Sequence, residues 1–311
     1  MDKKTKFGWM SILALWANFS LAWGSAVEDI RAARKRGDLD GAIRLATQAL
    51  ASGELSLEDQ AIAFYNRGVT WEKKKELERA IADYNEAIRL NPKDADAFNG
   101  RGVAWYEKKD YDRAIADFNE AIRLNPQYAA AFNNRGIAWR EKKDYDPAIA
   151  DFNEAIRLNP QYANAFNNRG HTYFYRGQFE PAAADLAKAH ELNADTHTAI
   201  WLYLARARNG TDGKPELTAN TQNIDVTKWP APAVALYRGI QAPDGFVALA
   251  ANSDANTQIN QMCEANFYLG QWYLLKGKQA QARSHFTAAR DACPPHWFQY
   301  GGAVAELARM K

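Results

Sequence analysis

The sequence predicts an all-α fold in which antiparallel helix pairs stack into a solenoid, and three observations lead to this fold class. A 34-residue period runs through residues 61–194 and places a glycine at the same point of every repeat. Apolar residues recur within each repeat at intervals of three and four, which is the spacing of one helix face. An Asn-Pro pair ends each of the first three repeats. A period of this length indicates units that bury their apolar faces by stacking on their neighbours.

The first 26 residues have the features of a secretory signal peptide. Three lysines precede an apolar stretch over residues 7–22, and small residues follow at Gly24 and Ala26. Cleavage after either of them satisfies the small-residue pattern. A retained membrane anchor is the alternative, although about 20 apolar residues are needed to span a bilayer. We therefore predict a periplasmic or secreted protein after cleavage near Ala26, with no adjacent cysteine for lipid attachment.

The charge of the chain gives no support to binding of nucleic acid. The 311 residues carry a net charge of +2, and the signal peptide contains three lysines and one aspartate. Its removal leaves a chain with no net charge. A bulk electrostatic attraction to a phosphate backbone therefore has no support, and we predict no nucleic-acid partner.

The first helix of each repeat has one buried face, set by positions 4, 8 and 11. Repeats 1 to 4 begin at Ala61, Ala95, Ala129 and Ala163, each of which is position 1. The glycine at position 8 allows a second helix to approach, and aromatic residues fill the space on either side. These residues are Phe64, Phe98, Phe132 and Phe166, then Gly68, Gly102, Gly136 and Gly170, then Trp71, Trp105, Trp139 and Tyr173.

The second helix of each repeat has a complementary face, with alanine at positions 20 and 27 and a large residue at position 24. The large residues are Tyr84, Phe118, Phe152 and Leu186. Asp110 and Asp144 suit the N-cap of this helix, because a short carboxylate accepts a hydrogen bond from the first turn. The Asn-Pro pairs at 91–92, 125–126 and 159–160 end it.

This set of seven recurring positions resembles the tetratricopeptide repeat (TPR) family over the whole of residues 61–194. The resemblance implies a right-handed superhelix whose first helices line a concave, partner-binding face. Two departures stand out. Position 7 is arginine rather than apolar (Arg67, Arg101, Arg135 and Arg169), and position 15, often glycine, is Lys75, Lys109 and Lys143 before Gly177.

Each arginine at position 7 is matched by an aspartate at position 23, namely Asp83, Asp117, Asp151 and Asp185. Two interpretations are open. The residues form an ion pair between the helices of each repeat, or the arginines form a row that holds an anionic ligand.

Weaker repeats extend the pattern at both ends. Residues 27–60 are predicted to form a degenerate N-terminal repeat with Gly37 at position 15, followed by a capping box that begins at Ser56. Residues 195–262 break the period and form an irregular helical segment, which packs as helices or covers the end of the groove. Residues 263–311 are predicted to form a C-terminal TPR-like unit with a capping helix.

The two cysteines occupy positions 1 and 31 of this C-terminal unit. In an antiparallel helix pair the start of the first helix lies beside the end of the second, so Cys263 and Cys293 are predicted to form a disulfide. Two reduced cysteines are the alternative.

The TPR resemblance also implies the partner-binding residues, since positions near 5, 6, 9, 12 and 13 of the first helices line the concave face. Side-chain amides there donate and accept hydrogen bonds and suit an extended peptide backbone. The alternative is that they make helix-to-helix contacts without a ligand. Arg140 is the one basic residue among these positions, which disfavours a carboxylate clamp. The predicted residues are Asn99, Asn133, Asn134, Arg140, Asn167, Asn168, His171, Phe174 and Tyr175.

Catalytic and cofactor motifs are absent from the sequence. It contains no nucleophile elbow, zinc-protease motif, P-loop or dinucleotide fingerprint. The five histidines show no spacing that brings them to a shared helix face as metal ligands. We therefore predict no enzyme activity, no cofactor and no metal.

The segments 200–205, 263–270 and 273–277 resemble envelope TPR proteins of the NlpI type, without their lipidated cysteine. That resemblance implies an adaptor, possible homodimerisation, and a cell-wall hydrolase or a protease as partner. Our first hypothesis is a scaffold that binds a protein or peptide on the concave face. The alternatives are a structural homo-oligomeric envelope component with a convex or terminal interface, and a ligand-binding or enzymatic role of residues 195–262.

Overall fold

The structure is a computed structural model that describes residues 26–225, 227–251 and 254–310, and all regular structure in these ranges is helical. The predicted signal peptide lies outside the described residues except for Ala26. No helix in the described ranges is both long enough and apolar enough to cross a membrane.

The helices follow one another in pairs along the chain. The repeat helices are α1 (26–35), α2 (Leu39–Ala51), α3 (Leu57–Lys73), α4 (Leu77–Leu90), α5 (Ala95–Glu107), α6 (Tyr111–Leu124), α7 (Ala129–Glu141), α8 (Tyr145–Leu158), α9 (Ala163–Tyr175) and α10 (Phe179–Leu192). They are followed by α11 (Thr196–Arg208), α12 (Lys214–Asn220), α13 (Ala231–Arg238), a 3-10 helix (Phe246–Ala250), α14 (Ala255–Leu275), α15 (Gln279–Ala292) and α16 (Phe298–Arg309).

The chain divides into two compact units, Met1–Ala138 and Trp139–Lys311, called here the N-terminal and C-terminal units. In the N-terminal unit, helix α3 packs on α4 and α5 packs on α6. The rings of Tyr84 and Phe118 are fully buried in these pairs. A Cβ atom at Gly102 would lie 2.6 Å from the Phe118 ring, so glycine at position 8 is required by the close approach of the two helices.

Ser56 and Asp110 cap their helices as the sequence predicts, whereas Asp144, at the N-cap of α8, makes no side-chain cap hydrogen bond. The Ser56 side chain accepts a hydrogen bond from the backbone N–H of Asp59 at the start of α3. Asp110 caps α6 by accepting from the N–H of Arg113. Helices α4 and α6 end at the residue before Asn91 and Asn125, as predicted from the Asn-Pro pairs.

Position 15 of each repeat adopts a left-handed backbone conformation, which explains why the family favours glycine there. Lys75, Lys109 and Lys143 have φ of 63°, 64° and 65°, and Gly177 in repeat 4 has φ of 78°. A left-handed residue at this point reverses the chain between the two helices. A side chain with a Cβ atom makes that conformation costly, so the three lysines are locally strained.

The arginine and aspartate at positions 7 and 23 form an ion pair between helices in three repeats. The Nε and Nη2 atoms of each guanidinium lie 2.6–2.8 Å from the two carboxylate oxygens of its aspartate. The arginine carbon Cζ also lies 5.4–5.6 Å above the phenylalanine ring at position 4 of its repeat. The pairs are Arg67–Asp83, Arg101–Asp117 and Arg169–Asp185.

The remaining arginine nitrogen reaches the preceding repeat. In each of four repeats Nη1 donates to the side-chain oxygen at position 25 of the repeat before it, at 2.6–3.0 Å. The acceptors are Thr47, Asn85, Asn119 and Asn153. We call this arrangement the arginine bridge. It joins the two helices of one repeat to the second helix of the preceding repeat. The guanidinium N–H groups therefore donate to side chains of the same chain, which favours the ion-pair interpretation over a row of arginines that holds an anionic ligand.

The C-terminal unit is organised around α11, whose residues 198–205 are all buried. Helix α11 packs on α10, and in the segment that the sequence left undecided α12 and α13 pack beside α11, whereas the 3-10 helix packs on α14 and α13. Helices α14 and α15 form a further antiparallel pair, in which a Cβ atom at Gly270 would lie 2.7 Å from the Phe286 ring. Helix α14 begins at Ala255, earlier than the repeat pattern that starts at Cys263.

The two cysteines form a disulfide, as the sequence predicts. The Cα atoms of Cys263 and Cys293 are 4.9 Å apart, within the normal range for this bond. Both residues are buried, and the bond joins α14 to the end of α15. Helix α16 then packs back onto α15, α14 and α9.

A double-mutant cycle tests the ion pair of the arginine bridge. Arg101→Met and Asp117→Asn are each expected to lower the free energy of unfolding by about 2–4 kcal/mol, because each leaves a buried partner unpaired. Their coupling energy, measured by urea unfolding, is expected to exceed about 1 kcal/mol. The control is Arg123–Glu120, also bidentate but 66% and 34% exposed, for which coupling below about 0.5 kcal/mol is expected. Additive losses at Arg101 and Asp117 would contradict direct pairing.

Lys109 tests the strain at position 15, because its side chain is exposed. Lys109→Gly is expected to raise the free energy of unfolding by about 0.5–1 kcal/mol, since glycine adopts positive φ without a Cβ clash. Lys109→Ala is the control, since it shortens the side chain but keeps the Cβ atom. An equal effect of both changes in urea unfolding would show that the backbone conformation carries no cost.

Candidate functional site

The predicted amides of the N-terminal unit lie together on the first helices α5 and α7. The Nδ2 atom of Asn134 donates to Oδ1 of Asn99 at 3.1 Å, and Nδ2 of Asn133 donates to Oδ1 of Asn134 at 3.4 Å. Asn133 is buried, whereas Asn99 and Asn134 are half-buried. The helix-to-helix role that the sequence left open is therefore present, and the accessible amides that remain for a partner are Asn99 and Asn134.

Two buried acceptors on this face have no hydrogen-bond partner among the residues that the structure describes. They are Oδ1 of Asn66, at position 6 of repeat 1, and Oε2 of Glu107, at position 13 of repeat 2. The Nδ2 atom of Asn66 donates to the carbonyl of Ile62, and Oε1 of Glu107 lies 2.6 Å from Nζ of Lys75. A buried acceptor left unpaired costs free energy, so a hydrogen-bond donor that reached either oxygen would stabilise this face.

Two carboxylates lie on the same face, those of Glu72 and Glu107, and Lys75 pairs with the second. Burial raises the pKa of Glu72, and the nearby charge of Glu107 raises it further. Burial likewise raises the pKa of the Tyr65 hydroxyl to about 12, with Asp96 adding to the effect. We call the half-buried first-helix surface that carries Asn66, Glu72, Asn99, Val103 and Glu107 the acceptor face.

The predicted site residues of the C-terminal unit lie against the chain's own C-terminal helix. The ring of His171 stacks on Phe298 with 3.7 Å between centroids, and the Tyr175 hydroxyl donates to the Phe298 carbonyl at 2.9 Å. Arg140 lies 4.9 Å above the same ring and donates to Oδ1 of Asn168 at 3.0 Å. The predicted residues are all buried, and Phe298 is half-buried; the buried residues are Arg140, Asn168, His171 and Tyr175. Helix α16 thus covers the first-helix positions of repeat 4.

Phe174 belongs to the core of the C-terminal unit. It is fully buried and makes edge-to-face contacts with Phe179 and Trp201, each 5.1 Å away between ring centroids. Its place in the helix pattern does not distinguish a groove position from a core position, because Trp201, which packs against its ring, belongs to α11 and lies outside the repeat pattern.

A cavity of about 390 Å³ lies in the C-terminal unit between α9, α11, α14 and the turn before α16. We call it the His197 cavity. Sequence reasoning singled out Asn167 and His171 from its lining but missed the rest, because no local motif joins residues so far apart in sequence. The lining is Asn167, His171, Asp195, His197, Thr198, Trp201, Glu264, His296, Trp297, Phe298 and Gln299.

His197 stands between two carboxylates in this cavity. Its Nδ1 lies 3.4 Å from Oδ1 of Asp195, and its Nε2 lies 3.2 Å from Oε2 of Glu264. The indole N–H of Trp229 also donates to that Glu264 oxygen, at 2.6 Å. Burial opposes charging of His197, but hydrogen bonds to the two carboxylates outweigh it and raise its pKa to about 10. The imidazolium is therefore the form present at neutral pH.

Asp195 also caps α11, which fixes the geometry around His197. Its carboxylate accepts from the N–H groups of His197 and Thr198 at 3.0 and 2.8 Å and from the Thr198 hydroxyl. Burial opposes ionisation of Asp195, yet these hydrogen bonds hold its pKa well below the usual range. Within the described ranges, no group of three or more histidine, cysteine or acidic residues is arranged to hold a metal ion.

The chain belongs to the tetratricopeptide repeat family. One family model matches residues 29–95, 76–129 and 110–163, and a second matches residues 163–196. Together they span more than half of the 311 residues. The match from residue 29 includes the degenerate first repeat.

Solved structures show the same fold. The structure of Pseudomonas aeruginosa pilF is 19% identical, with 67% of this chain and 95% of that one covered and a TM-score of 0.56. PilW, a widely conserved type IV pilus biogenesis factor, is 18% identical, with 66% and 96% covered and a TM-score of 0.57. A tetratricopeptide repeat protein from Parabacteroides merdae ATCC 43184 is 15% identical, with 93% and 98% covered and a TM-score of 0.56.

The raised pKa of His197 predicts a pH-dependent contribution to stability. A group whose pKa rises on folding, here from 6.5 to about 10, stabilises the fold fully below pH 6.5 and loses that effect as pH rises through about 10. His197→Gln is therefore expected to lower the free energy of unfolding most at low pH and less as pH rises. Urea unfolding of both proteins from about pH 6 to about pH 10 measures this. A difference that does not change with pH would contradict the charged state.

Proposed function

We propose that this protein is a non-catalytic scaffold that binds a protein or peptide segment on the acceptor face of its N-terminal unit. The observation that carries the proposal is the pair of buried, unpartnered acceptors, Asn66 Oδ1 and Glu107 Oε2. A peptide backbone supplies one N–H donor per residue, with proline the exception. An extended segment laid along the first helices would complete both acceptors.

The charge of the face defines the chemistry of the segment. Glu72 and Glu107 lie on it, and the pKa of Glu72 is raised in part by Glu107. A cation near these two carboxylates relieves their repulsion, whereas a peptide's terminal carboxylate adds to it. The preferred partner is therefore a segment with lysine or arginine side chains. This agrees with the absence of a basic clamp among the predicted groove positions.

We further propose that the scaffold acts outside the cytoplasm, in the periplasm or after secretion. The charged, apolar and small-residue pattern of residues 1–26 supports export. The disulfide between Cys263 and Cys293 supports an oxidising compartment. The NlpI-type resemblance makes cell-wall hydrolases and proteases the first clients to test.

The test of the acceptor face is crosslinked capture from envelope extract with three baits. The first is the full chain, and the second carries Asn99→Arg and Val103→Arg, which place two positive charges on the face. The third carries Ala82→Arg and Ala116→Arg, which add the same charge at exposed sites on the second helices α4 and α6. If the acceptor face binds the partner, the first and third baits are expected to capture it and the second is expected to lose it. The crosslinked segment of the partner is expected to contain lysine or arginine.

The thermal unfolding midpoints of the three baits provide the folding control, and they are expected to agree. Equal capture by all three would move the interface off the acceptor face and contradict the proposal. Capture of this chain alone by every bait would instead favour the structural homo-oligomer.

A further inference from the structure

The His197 cavity is a second site, in a different unit from the acceptor face, and it has the size of a ligand pocket. Its volume of about 390 Å³ falls in the range of pockets that hold small molecules. Helices α9, α11 and α14, the turn before α16 and the first residues of α16 line it, and all of them belong to the C-terminal unit.

His171 lines this cavity and carries a buried, unpaired acceptor atom. Its Nδ1 lies 2.7 Å from the backbone carbonyl oxygen of Asn167. A carbonyl oxygen can only accept, so Nδ1 carries the proton and Nε2 carries a lone pair. His171 is 1% exposed, and no described residue is a hydrogen-bond partner of Nε2. Burial also lowers the pKa of His171 to about 3, which keeps the ring neutral and Nε2 an acceptor.

Asn167 and Glu264 add to the same acceptor set. The Oδ1 atom of Asn167 is buried and has no hydrogen-bond partner in the described part of the chain. The Glu264 side chain is 7% exposed and carries a carboxylate into the lining. The described donors to Glu264, from His197 and Trp229, both reach Oε2. Three residues of the lining therefore carry acceptor atoms.

The charges around the cavity favour a cation. Asp195 and Glu264 carry two negative charges and the His197 imidazolium one positive charge, which leaves one negative charge in excess. Arg140 lies against Phe298, but its guanidinium is 3.3 Å from a carboxylate oxygen of Glu141, which offsets it. An anionic ligand would meet two carboxylates, and a neutral polyol would leave the excess charge unpaired.

Aromatic rings complete the lining, with Trp201, Trp297 and Phe298 on its walls. A planar guanidinium has five N–H donors and stacks on aromatic faces, so it suits several acceptors beside rings better than an ammonium does. We propose that the His197 cavity binds the guanidinium group of an arginine side chain, with Asn167 Oδ1, His171 Nε2 and Glu264 as its acceptors.

Isothermal titration calorimetry of the full chain with three matched probes tests this site. The probes are the Nα-acetyl methylamides of arginine, lysine and citrulline. Citrulline is a neutral near-isostere of arginine, and lysine carries an ammonium. Arginine is expected to bind, citrulline at least about tenfold more weakly because its charge is lost, and lysine between them. Equal binding of arginine and citrulline, or no binding of arginine, would overturn the proposal.

Two variants assign the binding to this cavity. Glu264→Gln keeps the acceptor for Trp229 and His197 but removes the charge, and is expected to weaken arginine binding about tenfold. Asn167→Asp adds a carboxylate and is expected to strengthen arginine binding while leaving citrulline unchanged. Glu180→Gln, at an exposed site on α10, is the control for loss of a charge. Unchanged binding in both cavity variants would place the ligand elsewhere and refute the site.

A further comparison separates this site from the proposed peptide-binding face. The Asn99→Arg, Val103→Arg variant alters the N-terminal unit, and it is expected to bind the arginine probe as the parent does. Loss of arginine binding in that variant would show that the probe reports on the acceptor face, and would overturn the cavity assignment.

Discussion

The arginine bridge is the interaction on which the repeat array depends. One guanidinium satisfies a carboxylate of its own repeat, rests over a phenylalanine ring and reaches an amide or hydroxyl of the repeat before it. Stacked helix pairs need a contact that fixes both the pairing within a repeat and the step to the next one. Apolar packing around the glycine at position 8 brings the two helices of a repeat close together. The arginine bridge also fixes their relative orientation, because hydrogen bonds restrict the angle at which helices meet.

The sequence alone predicts the repeated part of the fold because each determinant is local to one repeat. Glycine at position 8, the caps and the Asn-Pro stops act within a few residues of their effect, and they repeat in phase. The disulfide was predictable for the same reason, since Cys263 and Cys293 occupy known positions of one helix pair. The path of residues 195–262 was not predictable, because α11 is buried on all sides and its partners are distant in sequence.

The candidate sites show the same limit. Asn99 and Asn134 were found from their repeat positions, but the covering of His171 and Tyr175 depends on where α16 packs. The aromatic residues Trp297 and Phe298 beside the turn were the one sequence signal for that contact. The His197 cavity had none, since a histidine and a glutamate 67 residues apart carry no local pattern.

The arginine bridge also has a genetic consequence. Because every junction from Thr47 to Arg169 uses the same two positions, a whole repeat can be duplicated or deleted and the new neighbours still match. The acceptor and the arginine are both replaced at the junction after repeat 4. Position 25 of repeat 4 is Ala187, and the residue one period after Arg169 is Tyr203. Unequal recombination can therefore lengthen or shorten the array upstream of this junction, whereas α11 marks a fixed end that no further copy of the repeat would recognise.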